Sequence, residues 1–138
     1  MGTTTVKWID GKKFIGIDST NHTVVLSAVE EGIGVKPSDL LPIAVASCIA
    51  VDVVEILTKK RMPLSLLEIT SNGEQDPNPP WTFRKIHLHF RVAGKSLTEK
   101  AVEQAIQLAE GKYCSVAASL RATTQITTDF EILDEFKG

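Results

Sequence analysis

Ser38 to Met62 reads SDLLPIAVASCIAVDVVEILTKKRM, and this stretch decides the fold. Its length and its alanines argue for a helix despite the many β-branched residues. Ser38 is placed to cap that helix, and Asp39 suits the positive end of its dipole. Pro42 belongs at the edge of the first turn or at the true start, because a proline deeper inside costs about 3 kcal/mol. From Ile43 to Val51 every side is apolar except at Ser47 and Cys48, the pattern of a helix buried all round. A chain of 138 residues rarely surrounds a helix completely, so a partner chain is expected to cover one side. After Asp52 the pattern becomes amphipathic, Glu55 and Lys59 form an i,i+4 pair, and Pro63 ends the element.

Before this helix the sequence reads as three strands. Thr5 to Trp8 alternates, Asp10-Gly11 marks a hairpin, and Lys13 to Ile17 and His22 to Leu26 follow around a turn at Asp18 to Asn21. Glu30 to Lys36, with two glycines, reads as loop. After the helix, Leu64 to Thr70 is a strand candidate and Ser71 to Pro80 a polar, proline-rich loop. In the next strand Ile86, Leu88, Phe90 and Val92 point one way, and Lys85, His87, His89 and Arg91 the other. Ser96 to Glu110 reads as an amphipathic helix, with a capping box of Ser96 and Glu99, a stripe of Val102, Ala105, Ile106 and Ala109, and Gly111 as its stop. A short helix from Ser115 to Leu120 and a strand from Thr124 to Leu133 complete the order βββ-α-ββ-αα-β, an α+β class with one domain over residues 1–138.

Hydrophobic residues make up 43% and charged residues 23%, which excludes disordered and collagen-like chains. A net charge of −2 argues against a large nucleic-acid footprint. The first residues, Met-Gly-Thr-Thr-Thr, have no leader-like pattern, and the uncharged apolar run from Leu40 to Val51 is too short to span a bilayer. The expectation is a cytoplasmic protein with no membrane partner.

Two cysteines, Cys48 and Cys114, are then expected to be reduced at rest, either as buried small side chains or as a chemical pair. Cys114 precedes a short helix, where N–H groups favour a thiolate, and on local physics it is the better activated of the two. A reactive Cys48 needs a cation or a donor from another segment or chain. His87 and His89 share a strand face; with His22 the only other histidine, a solvated polar face is favoured over a metal site. Trp8 and Trp81 read as core or edge packing. No phosphate-binding loop, dinucleotide fingerprint or Ser/His/Asp signature occurs.

Pro37-Ser-Asp-Leu-Leu-Pro-Ile-Ala-Val-Ala-Ser-Cys48 resembles the cysteine helix of the OsmC/Ohr family, and Ala109-Glu-Gly-Lys-Tyr-Cys114-Ser-Val resembles its second-cysteine motif, in the OsmC-like branch with Lys-Tyr-Cys-Ser-Val. The resemblance covers nearly the whole chain. It implies an OsmC-like fold and an intertwined homodimer with the long helices at its centre. It also implies thiol-dependent reduction of organic hydroperoxides, as a defence against oxidative stress. By position Cys48 is then the peroxidatic thiol and Cys114 the resolving one, with an external dithiol as reductant and no cofactor or metal. The family places an arginine from the N-terminal strands, held by a glutamate, beside the thiolate. Here no arginine precedes Arg61, so Lys13 or Lys12 is the nearest cation and Asp39 the carboxylate to orient it. An apolar wall of Val45, Ile49 and Val51 would favour lipophilic hydroperoxides. The missing arginine leaves a second expectation open, a non-catalytic dimer that binds a small apolar ligand.

Overall fold

The computed structural model describes residues 2–134, and the chain's contacts gather into two units, Met1–Leu41 and Pro42–Gly138. Elements follow the expected βββ-α-ββ-αα-β order.

In the first unit β1 (Thr5–Asp10), β2 (Lys13–Ile17) and β3 (Thr23–Ser27) form an antiparallel sheet in that order. Gly11 turns the first hairpin with φ 51°, a left-handed value that glycine adopts without strain. Trp8 is not core: it is 68% exposed, and its indole N–H donates to the Gly11 carbonyl at 2.8 Å. In the second turn Asp18 Oδ1 accepts the backbone N–H groups of Thr20 and His22, both at 2.8 Å, which explains why this polar run folds so tightly.

The second unit is built from α1 (Leu40–Lys59), β4 (Leu66–Gln75), β5 (Phe83–Ala93), α2 (Glu99–Leu108), α3 (Ser115–Leu120) and β6 (Gln125–Ile132). The sheet order is β4-β5-β6. β4 and β5 pair antiparallel, while β5 and β6 pair parallel. The inward residues of β5, Ile86, Leu88, Phe90 and Val92, are all fully buried. They meet the α1 stripe Val45, Ile49, Val53 and Leu57 and the α2 residues Val102, Ala105 and Ile106 in one apolar cluster.

Several boundaries differ from the sequence reading, each for a local reason. Pro37–Asp39 forms a single tight turn, so Ser38 lies inside a turn and α1 starts at Leu40. Pro42 sits in the first turn of α1, where its missing N–H costs nothing. α1 stops at Lys59 because Arg61 turns left-handed (φ 59°), with Met62 N–H bonded to Leu57 O at 2.9 Å and Arg61 N–H to Thr58 O at 3.0 Å. That double closure ends the helix before Pro63 is reached.

β4 continues to Gln75 through residues expected to be loop, because Ser71 to Gln75 are held by ladder bonds to β5 rather than by burial. At Gly73 a side chain would meet the Phe83 ring at 2.7 Å. The cap of α2 is Thr98, whose hydroxyl accepts Ala101 N–H at 3.2 Å, not Ser96. Leu97 and Val102 fall in the same cluster at the positions of a hydrophobic staple, which sets the entry two residues later. Gly111 does not stop the helix. A wider helical turn, Ala109–Tyr113, carries the backbone past it to Cys114. Trp81 is 55% exposed in the β4–β5 loop and, like Trp8, is not core.

Burial of α1 is one-sided. Ile43, Val51 and Val54 remain 49%, 67% and 44% exposed. The helical stretch Pro37–Lys59, 23 residues, contains an 18-residue window of mean hydropathy 2.2 and is long and apolar enough to cross a membrane, contrary to the shorter run counted above. The core helix of a globular unit meets the same criterion, and the inner stripe of α1 is packed in that way.

Candidate functional site

The two thiols, 66 positions apart in sequence, come together in the second unit. Cys48, a little over two turns into α1, is half-buried, and Cys114, at the cap of α3, is 2% exposed. Both are free thiols, Cys48 packs against the apolar cluster that contains Cys114, and it is near enough to raise the Cys114 pKa.

Cys114 sits where the wide turn ends and the backbone becomes extended (φ −80°, ψ 106°). Its N–H donates to Ala109 O at 2.9 Å, and its sulfur accepts Ala117 N–H at 3.2 Å. Local sequence placed a helix start here, and that is correct. The thiolate preference inferred from it is not. Burial pushes the Cys114 thiol up from its ordinary value and the neighbouring Cys48 pushes it further, against the lowering effect of the Ala117 and Val116 N–H groups. Cys114 is thus a proton-holding thiol at neutral pH. Its burial comes with the apolar cluster it shares with α1 and β5, which are distant in sequence, so the local pattern could not reveal it.

Lys13 and Asp39 belong to the first unit. Asp39 does not orient Lys13. The Lys13 ammonium is 2.7 Å from Asp10 and 3.8 Å from Glu31, while among the described residues Asp39 enters no ion pair. Lys12 pairs with Glu30 at 2.7 Å. Hydrogen bonding to Asp10 raises the Lys13 pKa, and Glu30 does the same for Lys12, so both stay charged but carry their own counter-charges. The hairpin explains the exchange of partners, since it folds Asp10 back beside Lys13 while Asp39 lies beyond the third strand. The apolar wall is also revised. Val45 and Ile49 are fully buried core residues, and Val51 alone is open. A groove of about 310 Å³ does lie between α1 and β4, lined by Ile43, Ala46, Ser47, Ala50, Leu67 and Ile69 with Ser71.

The outward face of β5 is a charge ladder. His87 Nε2 and His89 Nδ1 both contact Asp129 Oδ1, at 2.9 and 2.8 Å; His89 Nε2 lies 3.4 Å from Glu131, and Arg91 bridges Glu131 and Glu68, each at 3.1 Å. Among the described residues no group of three or more His, Cys, Asp or Glu side chains is arranged for a metal ion. The hydrogen bond to Asp129, then that to Glu131, raises the His89 pKa, and the same bond to His89 lowers Asp129. A raised imidazole stabilises the fold fully below about pH 6.5 and loses that contribution as pH climbs through the folded value; a depressed carboxylate acts above about pH 3.9 and fails as pH falls through its folded value. The Asp129→Asn variant is therefore expected to differ most from wild type in thermal midpoint near pH 5 to 6 (about 1.5 units below to just under the free imidazole value), with the gap shrinking toward about pH 9. A gap that is flat with pH contradicts this.

Comparison with known proteins follows the same architecture. Residues 30–129 match the family model described as OsmC-like protein. Protein YhfA of Escherichia coli K12 is 34% identical over 128 residues, covering 93% of this chain and 96% of that protein. The crystal structure of a hypothetical protein from Aquifex aeolicus VF5 superposes with TM-score 0.87 at 26% identity, covering 99% of this chain and 98% of that one. The organic hydroperoxide resistance protein OhrB of Bacillus subtilis shares the fold at TM-score 0.62 and 13% identity, over 95% of this chain and 98% of its own. With the cysteine helix and the second-cysteine turn both inside the matched span or beside its contacts, the chain belongs to the OsmC-like family.

Proposed function

We propose that this protein reduces organic hydroperoxides with Cys48 and Cys114 as a two-thiol pair. The observation that carries the reading is that a half-buried and a buried free thiol, far apart in sequence, meet in one apolar cluster. The Cys48 thiolate attacks the terminal peroxide oxygen, the O–O bond breaks, and the alcohol leaves after taking a proton from solvent. Cys48 is then a sulfenic acid. The Cys114 sulfur attacks the Cys48 sulfur, the S–O bond breaks, a disulfide forms, and the displaced hydroxyl leaves as water with the proton of the Cys114 thiol. An external dithiol returns both thiols to the reduced state and is itself oxidised to a disulfide. Membership of the OsmC-like family, and a fold shared with an organic hydroperoxide resistance protein, support the substrate class.

Thiol counting tests the reading. One equivalent of cumene hydroperoxide should remove both thiols of the reduced protein, and a dithiol should restore both. Persistence of both thiols would instead favour the ligand-binding reading, with the α1–β4 groove as the place for an apolar guest.

The same proposal includes a homodimer through the uncovered side of α1. Ile43, Val51 and Val54 give this face an apolar character that water alone covers poorly. Val54→Glu is expected to halve the sedimenting mass at micromolar concentration. An unchanged mass places the contact elsewhere.

A further inference from the structure

We propose that Arg121 and Glu110 form a positioning clamp that fixes Cys114 in the cluster it shares with Cys48 and so sets how readily the Cys48–Cys114 disulfide forms. The inference rests on the thiol-pair reading above. It begins with the wide turn Ala109–Tyr113, which ends abruptly at Cys114. Carbonyls in such a last turn have no donor within their own helix. Arg121, immediately after α3, supplies one from the far side of the loop. Its Nη2 donates to the Glu110 carbonyl at 2.8 Å and to the Glu110 carboxylate at 2.8 Å.

One guanidinium thus ties the start of the segment 110–121 to its end, with Cys114 inside the closed loop. Inward of the clamp, Ala109 and Ala117 are fully buried; the Ala109 carbonyl accepts the Cys114 N–H, and the Ala117 N–H donates to the Cys114 sulfur. The clamp itself lies outside the apolar core, with side chains 44% and 24% exposed, so it can be removed without emptying that core. Its bonds are charge-assisted and doubled on one residue, the arrangement that fixes geometry best. A lysine would bring a compact ammonium on a flexible stem in place of the planar guanidinium, and so would hold the two acceptors less rigidly.

The disulfide's equilibrium with glutathione tests this without any hydroperoxide. In that exchange the protein dithiol and one oxidised glutathione give the protein disulfide and two reduced glutathiones. Wild type, Arg121→Ala, Arg121→Lys and Glu110→Gln are equilibrated across a series of glutathione ratios, quenched by alkylation and read by mass spectrometry. Loosening the loop lowers the effective concentration of one thiol at the other. The expected loss in the equilibrium constant is roughly tenfold for Arg121→Ala and roughly threefold for Arg121→Lys and Glu110→Gln, each of which keeps part of the clamp. A merely structural role would lower the melting temperature and leave the constant of the folded protein in place. A folded Arg121→Ala with the wild-type constant overturns the proposal; if that variant does not fold, wild-type constants for both milder variants overturn it. A wild-type disulfide that equilibrates with glutathione in a protein that turns over no hydroperoxide rejects the peroxidase reading and leaves the clamp to be judged by the variants. A wild type that forms no disulfide in any buffer overturns both.

Discussion

Cys114→Ser is expected to keep the first oxidation and lose the cycle. Cys48 would still meet the hydroperoxide, because its own surroundings are untouched. Its sulfenic acid would then wait for an external thiol in place of the thiol in the same cluster. An intramolecular partner in good geometry is worth an effective concentration far above any cellular thiol, so dithiol-supported turnover should fall on the order of 10³-fold. The stranded sulfenic acid would advance to sulfinic acid under excess hydroperoxide, visible as a mass gain of two oxygens on the peptide that carries Cys48. Cys48→Ser should abolish consumption altogether, since Cys114 is 2% exposed and its thiol is pushed up by burial. Normal turnover by Cys48→Ser would assign the chemistry to Cys114 and reverse the proposed roles.

The largest expected effect on stability lies at Phe90. It is fully buried at the centre of β5, between Ile69 on β4 and Phe130 on β6 in the cross-strand register. Truncating it leaves a ring-sized void between sheet and helices, and Phe90→Ala should cost about 3 to 5 kcal/mol in urea unfolding of the reduced protein. Phe90→Leu, which refills most of that volume, should cost about 1.5 kcal/mol or less. Equal losses for the two would mean that shape, rather than volume, governs this layer.

Periodicity made much of this architecture legible. The buried rows of β5 and α2 follow directly from alternation and from the 3.6-residue repeat, because one sheet face and one helix stripe are covered. In α1 the apolar residues run all round, so the pattern alone could not say which side the chain itself buries. The Val45, Ile49, Val53 and Leu57 stripe emerges only once β5 and α2 are in place. The polar end of β4 was missed because backbone pairing, to which side-chain hydropathy is blind, holds Ser71 to Gln75.

For the site, the two cysteines stood out by motif, whereas their meeting in one cluster depends on a crossover that brings position 114 back toward position 48. The clamp was invisible for a related reason. Eleven positions separate Glu110 and Arg121, a spacing that matches no helix or strand repeat. Asp39 was the wrong partner for Lys13 because a two-residue hairpin turn outcompetes a distant segment for a nearby ammonium.

The parallel pairing of β5 with β6 has a consequence for the order of assembly. β4 and β5 meet through a short hairpin loop, whereas β6 can join only after the chain from Gly94 to Thr124 has been laid across the sheet, with partners such as Lys85 and Gln125 forty positions apart. Closing so long a segment carries an entropic penalty that the hairpin avoids. The hairpin with α1 is thus the natural folding nucleus, and β6 with the crossover is the late addition. In the native protein the same hierarchy would run backwards. Amides of β6 and α3 should exchange with solvent by local opening well before those of β5, so Cys114 rides on the part of the unit that opens most easily.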